Sequence, residues 1–348
     1  MSSIAFIGSV GVPNVYGGFE GFLEACTPDL ARRHQVTVTC DRNRYQDHAQ
    51  DWHGVKRLFL SLPANGALSV LHDFVAFLRV LPTHRNIVVL GVSGGIFFPI
   101  MRLLASLLRR RLIVNVDGVE WRRDKFGRKK KAFLKLSDTL AQTFAHEVVV
   151  DSEGLRPFLL PSRRDSAVFI AYPGDHVRLP GPAPQEDVGL LSICRIEPEN
   201  NCDMKLEAFA SLGLGRYTFI GNWNASAYGR DLRERFAQVP GLRLLDPVYD
   251  PEVLATLRGN CAGYIHGHSV GGTNPSLVEM LFYDAPLACF DCVFNRCTAG
   301  EDARYFGSAT ELADLMRAML AGSKRGPKPS RAAYTRDAIN ARYEALFI

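Results

Sequence analysis

Short apolar runs and longer segments of helical period take turns along the whole chain, and glycine or proline marks many of the joins. Apolar runs at 4–7, 36–40, 55–60, 87–90, 112–116, 147–150 and 168–170 read as strands, and 19–33, 69–81, 96–109 and 133–144 read as helices. A second series repeats the pattern, with strands at 189–193, 217–220, 242–245, 263–265 and 287–290. Its helices fall at 204–212, 231–237, 251–257, from Ser276, and at 310–321, with a last helix at 331–347. Strands joined through helices do not form hairpins; they lie side by side in a parallel sheet with helices on its faces. The expected fold class is therefore α/β, with two Rossmann-like, doubly wound parallel-sheet domains facing a cleft. The run PGPAP at 180–184 is the best linker in the chain. It sets the expected domains at 1–176 and 187–330, a linker at 177–186, and a terminal helix at 331–348 that crosses back to the first domain.

In parallel sheets, ligands bind at the carboxyl ends of the strands, so the loops there carry the information. The most informative is HGHSVGGTNPSLVE at 266–279. It follows an apolar run and opens an apolar-periodic segment: a strand, a glycine loop, then a helix start whose unpaired N–H groups suit an anion. Gly271 and Gly272 allow close approach of a ligand, and Pro275 suits the first helical turn. Glu279, one turn in, can reach a second polar group beside the anion. A phosphate and a sugar hydroxyl together describe a nucleotide-linked ligand; an ordinary βα turn is the alternative for the loop taken alone.

Composition narrows the class. The chain has 348 residues and 47 % apolar content, enough for two packed domains. Its eight cysteines mostly lie in apolar, strand-like contexts, as reduced buried thiols do. Cys289, Cys292 and Cys297 lack the other half of a zinc site. The apolar stretch 87–108 is interrupted by Ser93-Gly94-Gly95 and reads as a strand, a turn and a helix rather than a membrane span. With no signal peptide recognised, the expected location is cytoplasmic, peripheral at the inner face of the cell membrane. The net charge of +5 is unevenly spread, with cations concentrated at 109–111 and 122–131. No base-stacking pattern accompanies these runs, so an anionic inner-membrane surface is a better partner for them than nucleic acid, and a solvated helix face is the bland reading.

Four segments resemble the GT-B glycosyltransferases of retaining family 4, in the branch that contains bacterial rhamnosyltransferases of surface-polysaccharide assembly. They are GSVGVPNVYGGFE at 8–20 running into LARRHQVTV at 30–38, DGVEWRRDK at 117–125, RIEPENN at 195–201, and 266–279 extended by FDCVFNR at 290–296. They occur in order and span nearly the whole chain. The resemblance implies transfer of a sugar from a nucleotide diphosphate donor to a saccharide acceptor, lipid-pyrophosphate-linked, with retention of configuration. It implies no cofactor and no metal, the leaving phosphate taking the acceptor proton. The donor expected from that branch is dTDP-L-rhamnose.

Such chemistry needs cations and backbone donors on the departing diphosphate. Arg195, just after the strand 189–193, offers a rigid donor fork, and amides near Asn274 and Ser276 would hold the diphosphate from the other side. Glu279 resembles the family glutamate that accepts hydrogen bonds from the nucleotide ribose. The donor site is completed by Gly17, Gly18, Asn200, Asn201, Gly221, Asn222, His268, Gly271, Gly272 and Thr273. His266 is a further candidate for the sugar. Asp117 directly follows a strand and, with its neighbour Glu120, could orient an acceptor hydroxyl or the sugar; capping the next turn is the alternative for Asp117. Glu20, Trp121 and Arg122 are assigned to the acceptor. The chain departs from the general family pattern at three points: Gly271 where a first glutamate is common, Asn200 where a lysine is common, and Asp117 where a histidine is common.

Two other classes fit parts of the chain. A catalytically silent sugar-nucleotide or glycan-binding subunit is suggested by the missing glutamate and lysine. A nucleotide-dependent oxidoreductase is suggested by Gly8-x-x-Gly11 after the first strand, but that spacing is not Gly-x-Gly-x-x-Gly, and Asp41 is the only acid near the end of the second strand.

Overall fold

The computed structural model describes residues 1–123, 126–179, 188–322 and 329–348. The proline-rich run at 180–184 and most of the stretch at 322–330 lie outside them. The chain forms two compact units, one of Met1–Pro173 with Thr335–Ile348 and one of Gly174–Tyr334. The divisions thus fall at 173/174 and 334/335, where the sequence placed them around 177–186 and at 330/331. Within the second unit, the Gly174 amide bonds the Tyr334 carbonyl at 2.8 Å.

The first unit is built on β1 (Ser3–Ile7), β2 (Gln35–Asp41), β3 (Asp51–Trp52), β4 (Val55–Leu60), β5 (Asn86–Leu90), β6 (Arg111–Asn115), β7 (Glu147–Val150) and β8 (Val168–Phe169). Its helices are α1 (Gly18–Ala31), α2 (Ser69–Val80), α3 (Phe98–Leu107) and α4 (Arg128–Phe144). The strand order is β3-β4-β2-β1-β5-β6-β7-β8. All neighbours run parallel except β3, which turns back on β4. The turn is His53-Gly54, both at positive φ (51° and 83°), as a two-residue hairpin requires. β1 sits in the interior of the sheet and is covered on both faces, so Ile4, Ala5, Phe6 and Ile7 are all fully buried.

In the second unit β9 (Leu190–Ile193), β10 (Tyr217–Ile220), β11 (Leu242–Leu245), β12 (Gly263–His266), β13 (Leu287–Phe290) and β14 (Ala303–Phe306) form a parallel sheet in the order β11-β10-β9-β12-β13-β14. Helices α5 (Cys202–Ala210), α6 (Ala227–Arg235), α7 (Pro251–Asn260), α8 (Pro275–Met280), α9 (Val293–Ala299) and α10 (Ala309–Leu320) accompany it. Tyr217, Phe219, Trp223 and Phe209 anchor its core. The last helix, α11 (Arg336–Glu344), belongs to the first unit. There the Tyr343 ring lies 5.7 Å from Phe6 and 5.2 Å from Phe22, and Asn340 donates to the Cys26 carbonyl at 3.2 Å.

Several elements differ from expectation: β3 and α9 are additional, α6 begins at Ala227 rather than 231, and three further cases have a plain physical reason. α4 starts five residues early, at Arg128 rather than 133, because the Gly127 carbonyl accepts the Lys131 amide and begins the helix within the cationic run. That first turn holds no apolar residue before Ala132, so hydrophobic period could not reveal it. β14 was not foreseen; it is a four-residue edge strand with Arg304 exposed in its middle. The final helix is shorter than 331–347, since Pro329–Tyr334 winds as a 3-10 segment and Thr335 caps the α-helix through the Ala338 amide.

Candidate functional site

The sheet orders place each switch point. In the second unit the chain leaves β9 on one side for β10 and later returns on the other side for β12. The loops after β9 and β12 therefore diverge around a crevice at the carboxyl edge, where parallel sheets take ligands. Both loops carry the residues singled out in the sequence.

Much of their side-chain capacity goes into holding the loops together. Asn200 is buried and donates to the Arg195 carbonyl at 2.8 Å, while its Oδ1 meets His268 Nδ1 at 2.9 Å. Asn201, in the left-handed region (φ 48°, ψ 43°), donates to the Gly267 carbonyl at 2.8 Å. Asn222 accepts from the Ile196 amide at 2.7 Å, and a side chain on Gly221 would run into Ile196 and the Cys194 carbonyl. The β9 and β12 loops are in such contact that a β-carbon on Gly267 would lie 2.2 Å from the Asn200 carbonyl oxygen. The polar groups of Asn200, Asn201, Asn222 and His268 thus fix main chain around the crevice.

The helix start also differs from expectation. α8 spans only six residues. Asn274 Oδ1 accepts both the Ser276 amide (3.0 Å) and the Ser276 hydroxyl (2.8 Å), and the Leu277 and Val278 amides reach the Asn274 carbonyl at 3.1 Å. Those donors are engaged within the loop and the helix start. Gly271 holds φ at +119°, a conformation that favours glycine. Thr273 is buried beside it.

Arg195 has no such structural duty. It emerges just beyond β9, its side chain is 58 % exposed, and its nearest acid among the described residues is Glu197 at 3.8 Å. Glu279 is held firmly. Its carboxylate is ion-paired with Arg258 of α7 and lies 3.4 Å from His176 Nε2, both within the same unit. Burial pushes this carboxyl up, but the Arg258 charge and the His176 contact outweigh it and hold Glu279 below the usual carboxylate range. Tyr264 of β12 links the two regions: its hydroxyl bonds the Ile193 carbonyl at 3.2 Å and the Ser276 side chain.

Sequence reasoning missed Arg258, His176, Tyr264 and Lys205. Arg258 is one arginine among many near a helix end, and its partner lies 21 positions away. Lys205 carried a weak signal, a lysine on the apolar face of α5. Its side chain is buried, with Nζ 3.4 Å from Cys194 Sγ and 4.2 Å from the centre of the Phe219 ring. The Cys202 thiol bonded to Cys194, together with Lys205, lowers the Cys194 thiol below its ordinary range despite burial.

In the first unit the switch point lies between β1 and β5. Gly8 turns away from β1 at φ +90°, and a β-carbon there would sit 2.5 Å from the Leu90 carbonyl oxygen. Gly17 caps α1, and Gly18 begins it. Glu20 does not face outward; it is 4 % exposed, and its carboxylate accepts the Val10 amide at 2.7 Å and bonds the Gly17 backbone. Burial raises this carboxyl, and Asp117 nearby adds to the effect. Asp117, beyond β6, is half-buried and lines a cavity of about 20 Å³ with Asp138, Gln142 and Phe158. Trp121 donates to Asp138 at 3.2 Å, Glu120 pairs with Arg123 at 2.9 Å, and the Arg122 guanidinium lies 4.9 Å from the Phe158 ring centre. Asp117 is thus near enough to Glu20 to act on its charge, while Trp121 is drawn to α4. Asp73 of α2 was also missed: fully buried, it accepts the Gly94 amide at 3.0 Å, and burial pushes its carboxyl up to about 8.

Among the described residues, no group of three or more His, Cys, Asp or Glu side chains could hold a metal ion, and no helix is long and apolar enough to cross a membrane.

The family described as Domain of unknown function (DUF1972) matches residues 1–175. No curated protein sequence matches the chain. Solved structures do. A sucrose-phosphate synthase from Thermosynechococcus elongatus superposes with a TM-score of 0.74 at 14 % identity, over 100 % of this chain and 95 % of the other. HepE from Anabaena, solved in complex with UDP and glucose, gives 0.70 at 15 % identity, over 99 % of each chain. The catalytic domain of starch synthase IV from Arabidopsis thaliana, bound to ADP and acarbose, gives 0.69 at 12 % identity, over 99 % of this chain and 98 % of the other. These likenesses establish the GT-B fold.

Proposed function

For this chain, which belongs to the DUF1972 family, we propose the activity of a retaining, metal-independent glycosyltransferase that uses a nucleotide diphosphate sugar. The observation that carries the proposal is the Glu279–Arg258–His176 cluster, an ionised carboxylate fixed one turn beyond the β12 loop at the switch point of the second unit. An acceptor-only group fixed there suits the paired hydroxyls of a ribose. Arg195, exposed and lightly engaged on the neighbouring loop, suits the diphosphate. Relatives in fold are bound to UDP or ADP, which is consistent with a nucleotide at this edge.

In this reading the bond from the sugar C1 to the diphosphate oxygen breaks, and a bond from C1 to an acceptor hydroxyl forms on the same face. The acceptor proton passes to the leaving diphosphate. Arg195 neutralises the charge that develops on that group. Asp117 and Glu120 orient the acceptor or the sugar. The proposed donor is dTDP-L-rhamnose and the proposed acceptor a lipid-pyrophosphate-linked saccharide, both resting on the family resemblance of the sequence segments.

Thermal stabilisation by dTDP, UDP, GDP, ADP and NADH tests the reading, because a ligand that binds only the native state raises Tm by mass action. The expected result is a shift with dTDP that Arg195→Ala diminishes, followed by sugar transfer from dTDP-L-rhamnose. A shift with another diphosphate alone would replace the donor. A shift with NADH only, or none with any nucleotide, would overturn the transferase reading.

A further inference from the structure

The first unit carries a surface that its fold does not use. Of the eighteen large hydrophobic side chains exposed among the described residues, six lie on α3 and α4, which pack beside each other. On α3 and its cap these are Ile100 (50 % exposed), Leu103 (60 %), Leu107 (70 %) and Leu108 (49 %). Ile100, Leu103 and Leu107 follow an i, i+3, i+7 spacing and form one stripe. On α4, Phe133 (37 %) and Leu136 (53 %) follow the same i, i+3 logic. Single exposed leucines are ordinary, but several exposed apolar side chains on two neighbouring helices mark an interaction surface.

The exposed charge on these two helices is mostly cationic, and Asp138 of α4 is engaged by Trp121 and Gln142. Arg109 follows α3, and Arg128, Lys129, Lys130 and Lys135 are exposed on α4. No Asp or Glu occurs at 96–116 or at 126–137. Two of the cations are steadied by aromatic rings: Lys130 Nζ lies 3.8 Å from the centre of Phe126, and Lys135 Nζ lies 5.2 Å from that of Trp121. Apolar side chains flanked by exposed cations match a bilayer interface, where acyl chains take the former and anionic headgroups the latter. A protein partner would need its own apolar face ringed with acid; a lipid surface presents both without further design.

We infer that the α3–α4 face docks the protein on an anionic membrane surface, with Leu103 and Leu107 entering the headgroup region and the α4 cations on its phosphates. This inference does not rest on the transferase reading and survives its failure.

The test is cosedimentation of the full chain with phosphatidylglycerol-containing vesicles and with purely phosphatidylcholine vesicles, across a salt series. Binding to the anionic vesicles alone, weakened by salt, is expected. Lys129→Glu with Lys130→Glu and Lys135→Glu should weaken it on the order of a hundredfold or more, taking about a factor of five for each cation lost. Leu103→Asn with Leu107→Asn should also weaken it, while leaving the melting temperature unchanged because both side chains are exposed. Equal binding to the two vesicle types, or no loss in either variant, would overturn the inference. So would a dimer, detected by light scattering, that Leu103→Asn with Leu107→Asn dissociates while vesicle binding stays as in the wild type; the face would then belong to a second copy of the chain.

Discussion

The carboxylate of Glu279 is ion-paired with the guanidinium of Arg258, and their side chains are only 17 % and 9 % exposed. The pair joins two helices of the second unit, α8 and α7, and places the charge of Glu279 beside the β12 loop. Breaking such a pair from one side strands the other charge in a poorly solvated place. Arg258→Ala is therefore expected to destabilise the protein by about 3 kcal/mol in denaturant titration. The double variant Arg258→Ala with Glu279→Ala should lose less than the two single variants summed. Additive losses would show that the pair is not energetically coupled. The pH dependence has a definite sign. The folded carboxyl lies below its unfolded value, so its contribution is present above the unfolded pKa and is lost as pH falls through the folded one.

Arg195 gives the contrasting case. With its side chain 58 % exposed and its nearest acid among the described residues at 3.8 Å, it contributes little to the fold. Arg195→Ala should stay within about 0.5 kcal/mol of wild type in stability, as surface substitutions do. Its affinity for a nucleoside diphosphate, measured by calorimetry, should fall at least tenfold, and Arg195→Lys should recover part of the loss. Unchanged affinity in Arg195→Ala would remove this residue from the site.

Asp73 makes a prediction in the opposite direction on the pH axis. Burial raises its folded-state carboxyl to about 8, whereas an unfolded aspartate titrates near ~3.9. Between these values the folded state binds the extra proton. Stability contributed by this group therefore falls as pH rises from about 4 to about 8. Asp73→Asn keeps an oxygen for the Gly94 amide and has no proton to lose. Its melting temperature should pull ahead of wild type progressively across that window and level off above it. A difference that does not change with pH would show that Asp73 is ionised in the fold.

Lys205 is buried, with Nζ 3.4 Å from the Cys194 sulfur and 4.2 Å from the centre of the Phe219 ring. It helps to hold the Cys194 thiol below its ordinary range, so removing it alone takes from that sulfur the cation that steadies it. Lys205→Met is expected to move the Cys194 titration upward, read as thiolate absorbance against Cys194→Ser, and to lower the melting temperature at neutral pH. A melting temperature at or above that of the wild type would show that the cost of burying the amine outweighs its contacts with Cys194 and Phe219.

What the linear sequence determined is what depends on local period and local chemistry. β1, β5, β9 and β12 were legible because fully buried parallel strands are short unbroken apolar runs, and their turns carry glycines at fixed places, such as Gly8 and Gly271. The loops at 195–201 and 266–279 could be found the same way, with Arg195 and Glu279 in them. Tertiary structure decided what those residues touch. Nothing near Glu279 in sequence announces Arg258 or His176, and nothing in the asparagines announces that Asn200 and Asn201 hold one loop to another 66 to 68 positions away. α4 shows the same limit on a smaller scale: its first turn is all cations, so hydrophobic period begins it at 133, and only the fold shows that the helix carrying those cations packs against α3 with its exposed leucines. Period and turn chemistry are properties of neighbours along the chain. Ion pairs, loop splints and surface patches are properties of neighbours in space, and chain closure alone creates them.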